Sequence, residues 1–296
     1  MKTIYFLAFM LLVSMSSCLR LDSNLYDNTK TSSYLMDAYT GQQEITLDST
    51  YTLQNSMIHL LPLTSNDNGS VATIYAEYLG DINRISTDTV IMYFHGTKDN
   101  MDYYWNRAKL LANTGGKNRF GVMTIDYRGY GMSQGTPTES GMYADAEAAL
   151  QWLQNNGLTS DRLIIYGFSL GTAAATYRTA NPSVLTPAKL ILEAPFASAG
   201  VMVQDATALA FPPSYFINLS INNGEEIKKV QQPFMWMHGI NDAFLNINTQ
   251  GQVVYNNYQG AYGEAHRIPG ATHTNVPEVW GYENYKSAVT AFITHP

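Results

Sequence analysis

Short, uninterrupted apolar runs alternate with longer mixed stretches over most of the chain. The runs lie at 89–94, 121–125, 163–166, 190–192 and 234–237. Each is too short for a helix, and a run that is apolar at every position is typical of a strand buried on both faces. Between them, 140–154 has the spacing of a helix with one apolar face. Strands that alternate with helices predict βαβ units and a mostly parallel sheet.

A different hydrophobic pattern precedes these runs. Apolar and polar residues alternate over 51–63 and again over 71–79, with the turn-forming sequence Asn-Asp-Asn-Gly at 66–69 between them. This pattern predicts an antiparallel pair of strands joined by a loop. No internal repeat or low-complexity block follows, so we predict one domain over 45–296.

The N-terminus has the pattern of an export signal. A lysine at position 2 is followed by an apolar run at 4–13 and then by small residues. The run is too short to span a membrane, which takes about 20 apolar residues. We therefore expect a signal peptide over 1–17. The polar stretch after it predicts a surface tether or N-terminal extension over 18–44.

Composition narrows the classes of function. The chain has 17 Lys and Arg against 24 Asp and Glu, a net charge of −7, and it has no basic run. This balance disfavours a nucleic-acid partner. A single cysteine excludes a disulfide framework within the chain and a cysteine-based zinc or iron–sulfur site. With no P-loop, histidine cluster or dinucleotide fingerprint, no metal and no cofactor are expected.

The strongest chemical signal is the sequence Gly-Phe-Ser-Leu-Gly at 167–171. It follows the apolar run at 163–166 directly and leads into an alanine-rich helical stretch, which is the context that a nucleophile elbow requires. The sharp strand-to-helix turn would lift the Ser169 hydroxyl above the edge of the sheet. The alternative is a serine in a tight structural turn.

In this context the sequence resembles the α/β-hydrolase superfamily, closest to the serine hydrolases of the Bem46/ABHD13-like group. Residues 93–97 resemble the family's His-Gly-x segment, and 126–133 resemble its D-x-R-G-x-G-x-S segment. The resemblance implies an α/β-hydrolase fold, with helices on both faces of the sheet and a small cap after strand 6, over 195–233. It also implies that the N–H groups of Thr97 and Leu170 form the oxyanion hole.

The resemblance also supplies the acid and the base. The sequence His-Gly-Ile-Asn-Asp at 238–242 resembles the family's H-G-x-x-D motif, which makes Asp242 the orienting acid. The loop at 269–273 resembles the one that carries the catalytic base, which makes His273 the base. In the same family His95 and His238 have structural roles, and His266 falls within an expected strand.

Cys18 follows the small pair Ser16-Ser17, an arrangement that resembles the lipobox of bacterial lipoproteins. This resemblance implies a lipidated Cys18 and an exported protein held on a bacterial membrane, facing the periplasm or the cell surface. The alternative is an ordinary signal peptide with an idle cysteine.

The expected activity is hydrolysis of a carboxylic ester in a small-molecule acyl substrate. Thioester or amide hydrolysis, including peptidase activity, is the alternative within the enzyme class. A binding protein on an inactive hydrolase scaffold is the alternative outside it. Apolar residues of the cap, Phe211 and Phe216 among them, are candidates for the wall of an acyl pocket. The alternative, which is favoured for each of them taken singly, is that they pack the cap onto the domain.

Overall fold

Eight strands form the central sheet in the part of the chain that the structure describes. They are β1 Ile58–Asp67, β2 Ser70–Leu79, β3 Val90–Phe94, β4 Gly121–Asp126, β5 Leu163–Phe168, β6 Lys189–Glu193, β7 Phe234–Gly239 and β8 Gly263–Ile268. Their order is β1-β2-β4-β3-β5-β6-β7-β8. β2 is antiparallel to both of its neighbours and all other pairs are parallel, so the mostly parallel sheet is confirmed.

This computed structural model describes residues 25–117, 119–207 and 218–295. The expected signal peptide, Cys18, Phe211 and Phe216 lie outside these residues. Within them, no helix has the length and apolar character needed to cross a membrane.

Helices cover both faces of the sheet. They are α1 Met101–Ala112, α2 Glu139–Asn155, α3 Gly171–Ala180, α4 Ala199–Thr207, α5 Asn223–Glu226, α6 Gly251–Asn257, α7 Val276–Trp280 and α8 Tyr282–Thr294. Side chains of α2 and α3 share one apolar core with the sheet, and those of α1 and α8 share the other. α4 and α5 belong to the small cap between β6 and β7.

The N-terminal hairpin forms where the alternating pattern predicts it, but its bounds differ. β1 begins at Ile58, and short 3₁₀ turns occupy 49–51 and 55–57. Asp67 pairs with Ser70, so the turn consists of Asn68 and Gly69 alone. Both have positive φ, 49° and 94°, which is the backbone that a two-residue hairpin turn needs.

The expected tether differs most from the structure. Residues 25–44, called the N-terminal segment below, pack on the domain instead of extending from it. Leu25 is buried in the apolar core and Glu44 is 8% exposed. The polar side chains that suggested a solvated stretch find partners on the domain: the Tyr34 hydroxyl donates to Asp126 at 2.6 Å, and Glu44 pairs with Arg107.

Candidate active site

Ser169 lies in the sharp turn between β5 and α3, with a positive φ of 50°. A non-glycine residue in this region is strained, and such strain is concentrated at functional sites. The two flanking glycines allow the turn. A Cβ at Gly171 would lie 2.0 Å from the Phe94 carbonyl oxygen, and one at Gly167 would lie 2.7 Å from the Ala175 Cβ. The local sequence therefore brings α3 against the sheet and leaves the serine at its edge.

Three of the predicted residues form a continuous chain of hydrogen bonds. His273 Nε2 lies 2.9 Å from Ser169 Oγ, and His273 Nδ1 lies 2.8 Å from Asp242 Oδ2. Ser169, Asp242 and His273 follow β5, β7 and β8 respectively. The carboxyl ends of parallel strands meet at one edge of a sheet, which explains how residues up to 104 positions apart come together.

Asp242 is held as a carboxylate. Its Oδ1 accepts hydrogen bonds from the backbone N–H groups of Phe244 and Leu245, at 2.9 and 2.7 Å. Burial alone would raise the pKa of this carboxyl. Hydrogen bonds from His238 and His273 outweigh burial and hold the Asp242 pKa well below its usual range. Asp242 can thus orient His273 and stabilise its charged form.

His238 also holds Asp242, a contact that was not predicted from the sequence, since the family resemblance implied only a structural role for His238. Its ring is fully buried, and its Nε2 lies 3.2 Å from Asp242 Oδ2 and 3.0 Å from the Leu245 carbonyl oxygen. The Trp236 indole N–H, which can only donate, points at His238 Nδ1. Nδ1 is therefore the acceptor and Nε2 carries the proton that faces Asp242. The sequence feature that could have predicted this contact is the i, i+4 spacing of His238 and Asp242 within the H-G-x-x-D motif.

The two oxyanion candidates lie near this site. Thr97 follows β3 and Leu170 directly follows Ser169; β3 and β5 are parallel neighbours. Within the described residues, neither backbone N–H has an acceptor. The rest of Thr97 is fixed: its hydroxyl donates to the Leu25 carbonyl, and its own carbonyl accepts from the Tyr130 hydroxyl at 2.9 Å.

Aromatic side chains flank His273. The Phe168 and Phe244 rings lie 5.4 and 5.0 Å from the His273 ring. Phe244 is 54% exposed and lines a cleft of about 440 Å³ with part of α4. The other lining residues are Asp205, Ala243, Asn246 and Thr249. Over 25–117, 119–207 and 218–295, no group of three or more His, Cys, Asp or Glu side chains is placed to hold a metal.

Two known proteins resemble this chain in sequence over about three fifths of its length. The chain is 29% identical to protein bem46 of Schizosaccharomyces pombe over 192 residues, which cover 62% of the chain and 61% of that protein. It is 30% identical to the putative alpha/beta hydrolase L404 of Acanthamoeba polyphaga mimivirus over 188 residues, 63% of the chain and 67% of that protein. The chain thus spans about three fifths to two thirds of the length of these relatives.

Solved structures share the fold at lower identity. The esterase Pf2001 of Pyrococcus furiosus superposes with a TM-score of 0.64 at 18% identity, covering 80% of this chain and 89% of that one. The esterase RhEst1 of Rhodococcus sp. superposes with a TM-score of 0.57 at 17% identity, covering 80% and 98%. At these identities the likeness shows the fold.

A family model described as "Serine aminopeptidase, S33" matches residues 85–232, half of the chain. The match includes the elbow with Ser169 and ends before Asp242 and His273. From this match and the fold, the chain belongs to the α/β-hydrolase family described as serine aminopeptidase, S33.

Proposed function

We propose that this protein is a serine hydrolase that cleaves a carboxylic ester in a small-molecule acyl substrate. The observation that carries the proposal is the chain of hydrogen bonds from Ser169 through His273 to Asp242. A serine hydroxyl is a weak nucleophile and needs an adjacent base. Here the base lies within hydrogen-bond distance, and a carboxylate held ionised fixes the orientation of its ring.

The steps follow from these roles. His273 Nε2 takes the hydroxyl proton as Ser169 Oγ attacks the acyl carbonyl, and the carbonyl becomes a tetrahedral oxyanion. The N–H groups of Thr97 and Leu170 donate to that oxyanion. His273 then gives its proton to the departing alcohol. Water, deprotonated by the same nitrogen, attacks the acyl-enzyme; Ser169 leaves as its alkoxide and recovers the proton from His273, which frees the acid.

Peptide or amide hydrolysis is the second candidate, because the matching family is described as a serine aminopeptidase. The same triad would protonate an amine as the leaving group. Two esterases among the structural neighbours agree with an ester substrate, but they share only the fold with this chain. The proposal therefore rests on the site and not on the neighbours' substrates.

We further propose that the protein is exported and held on a bacterial membrane by lipid on Cys18, as the sequence pattern implies. Wild-type protein is then expected to partition with membranes and to carry a lipidated cysteine as its first residue. Cys18→Ala should abolish the attachment. A mature N-terminus at any other residue, found by mass spectrometry, would refute the anchor.

The catalytic proposal is tested by labelling with a fluorophosphonate and by turnover of p-nitrophenyl esters beside aminoacyl p-nitroanilides. The wild-type protein should be labelled and should prefer the esters. Ser169→Ala should lose labelling, and both Ser169→Ala and His273→Ala should lose ester turnover by several powers of ten. Ser287→Ala, at an exposed serine on α8, is the matched control. Labelling or normal turnover in folded Ser169→Ala would refute the assignment; preference for the anilides would favour the peptidase.

A further inference from the structure

Arg107 of α1 lies behind the proposed catalytic residues with its side chain fully buried. Its N–H groups point at oxygen atoms in four different parts of the chain, which belong to Glu44, Tyr166, Glu193 and Thr274. Nε and Nη2 donate to the two oxygens of Glu44, at 2.8 and 2.6 Å. Nη1 donates to Glu193 Oε2 at 2.7 Å, and Nη2 also donates to the Thr274 carbonyl oxygen at 3.1 Å.

These contacts join one guanidinium to the chain neighbours of both Ser169 and His273. Thr274 directly follows His273 in the loop after β8. On the other side, the guanidinium carbon lies 4.5 Å from the centre of the Phe168 ring, and Phe168 directly precedes Ser169. Glu193, the second acid on Arg107, accepts the Ser169 backbone N–H on its carbonyl oxygen at 3.1 Å. A change in the orientation of Arg107 would therefore shift the chain next to both partners of the hydrogen bond between Ser169 and His273.

Glu44 is the group that fixes this orientation. Two parallel N–H···O bonds between a guanidinium and a carboxylate define the plane of the guanidinium as well as its position. Glu44 is itself held on α1, because its backbone N–H donates to the Tyr103 carbonyl oxygen at 3.0 Å. Without the Glu44 carboxylate, two buried N–H donors lose their acceptors, and the guanidinium is free to turn towards Glu193.

We propose that Glu44 is a positioning residue for catalysis: by fixing the plane of Arg107 it holds the Thr274 carbonyl, and so keeps His273 within reach of Ser169. Within the N-terminal segment, it is Glu44 that then acts on Ser169 and His273, because its carboxylate oxygens accept the hydrogen bonds from Arg107. This inference rests on the proposed Ser169–His273–Asp242 mechanism.

The expected effect of removing the Glu44 carboxylate on kcat follows from the sensitivity of catalysis to geometry, since a misplacement of about 1 Å costs on the order of 10²-fold in rate. We expect Glu44→Gln to lower kcat by roughly 10- to 100-fold. The KM should change by less than about threefold, because Glu44 does not line the cleft beside Phe244. The rate of inactivation by a fluorophosphonate should fall with kcat, because that reaction needs the same activation of Ser169.

Asp37→Asn provides a matched control. Asp37 also joins the N-terminal segment to α1, through Lys109 and Trp105, but it does not contact Arg107 or the loop of His273. Glu44→Asp is the second variant: it keeps the charge but is one methylene shorter, so its kcat should lie between those of Glu44→Gln and the wild type. Urea unfolding and the NMR signal of the proton between His273 Nδ1 and Asp242 report stability and geometry for each variant.

The proposal predicts a kcat and inactivation rate that fall in Glu44→Gln, partly recover in Glu44→Asp and stay near wild type in Asp37→Asn, together with a shifted NMR signal in Glu44→Gln. Wild-type kcat in folded Glu44→Gln would overturn it, as would an equal loss in Asp37→Asn. If Glu44→Gln does not fold, a kcat for Glu44→Asp no lower than that of Asp37→Asn overturns it. Failure of the mechanism itself is seen separately, as activity that persists in Ser169→Ala.

Discussion

His238 Nε2 donates to Asp242 Oδ2, the same carboxylate oxygen that receives the hydrogen bond from His273 Nδ1. The two histidines thus hold one oxygen from two sides. Since hydrogen bonds to charged groups contribute about 1.5–3 kcal/mol, loss of the His238 donor should loosen the carboxylate that accepts from His273, the proposed base.

We expect His238→Phe to lower kcat by about tenfold, which corresponds to about 1.4 kcal/mol of transition-state stabilisation. Steady-state kinetics on a p-nitrophenyl ester measures this. His266→Phe is the control, because His266 on β8 contacts Glu264 and not Asp242. An unchanged kcat in folded His238→Phe would show that His273 and the backbone N–H groups hold Asp242 without help.

The depressed pKa of Asp242 makes a prediction about acid stability. The carboxylate is more easily ionised in the folded protein than in the unfolded chain, so the stability it contributes is present above the ordinary aspartate pKa of about 4. That contribution is lost as the pH falls below this value. Asp242→Asn lacks it, so the difference in free energy of unfolding between wild type and Asp242→Asn should shrink from pH 6 to pH 3 in urea titrations. A constant difference would contradict the assigned direction.

The pKa of Glu77 on β2 is shifted in the opposite direction to that of Asp242. Burial, followed by the charges of Asp102 and Asp126, raises the Glu77 pKa well above its usual range, and neither carboxyl oxygen has a partner among the described residues. The folded protein keeps the proton that the unfolded chain releases above about pH 4.3, so stability falls as the pH rises, by about 1.4 kcal/mol per unit.

Glu77→Gln removes this penalty. At pH 8 its free energy of unfolding should exceed that of the wild type, and the gain should shrink towards pH 5. Urea unfolding at both pH values measures it. Glu283→Gln, at a glutamate whose side chain is 85% exposed on α8, should show no such gain. A gain of equal size at both pH values would argue against titration of Glu77.

Gly171→Ala tests the packing that shapes the elbow. The added Cβ would meet the carbonyl oxygens of Phe94 and His95 at 2.0 and 2.7 Å, which forces α3 away from β3. We expect the free energy of unfolding to fall by about 3 kcal/mol. We expect activity to be lost as well, because the turn that carries Ser169 is displaced. Gly224→Ala on α5 is the control, because its nearest atoms would lie at an ordinary 3.5 Å. Normal activity in Gly171→Ala would mean that the elbow tolerates this displacement.

The sequence alone determined the elements whose causes are local. The apolar run at 163–166, the glycines around Ser169 and the alanine-rich stretch after it are contiguous, so they specify strand, turn and helix without reference to the rest of the chain. The same holds for the other buried strands and for α2, where the period of the apolar residues is sufficient. The positions of Asp242 and His273 followed from resemblance to a family, and the structure brings both to Ser169.

Only the tertiary structure decided what the polar residues do. Glu44 and Tyr34 lie in a stretch whose composition is that of a solvated tether, yet Glu44 is buried against Arg107, 63 positions away. His238 likewise lies in a motif that implied only a structural role, whereas in the structure its ring contacts Asp242. A polar side chain is stable inside a protein only when it has a partner, and the partner comes from a distant element that the local sequence does not specify.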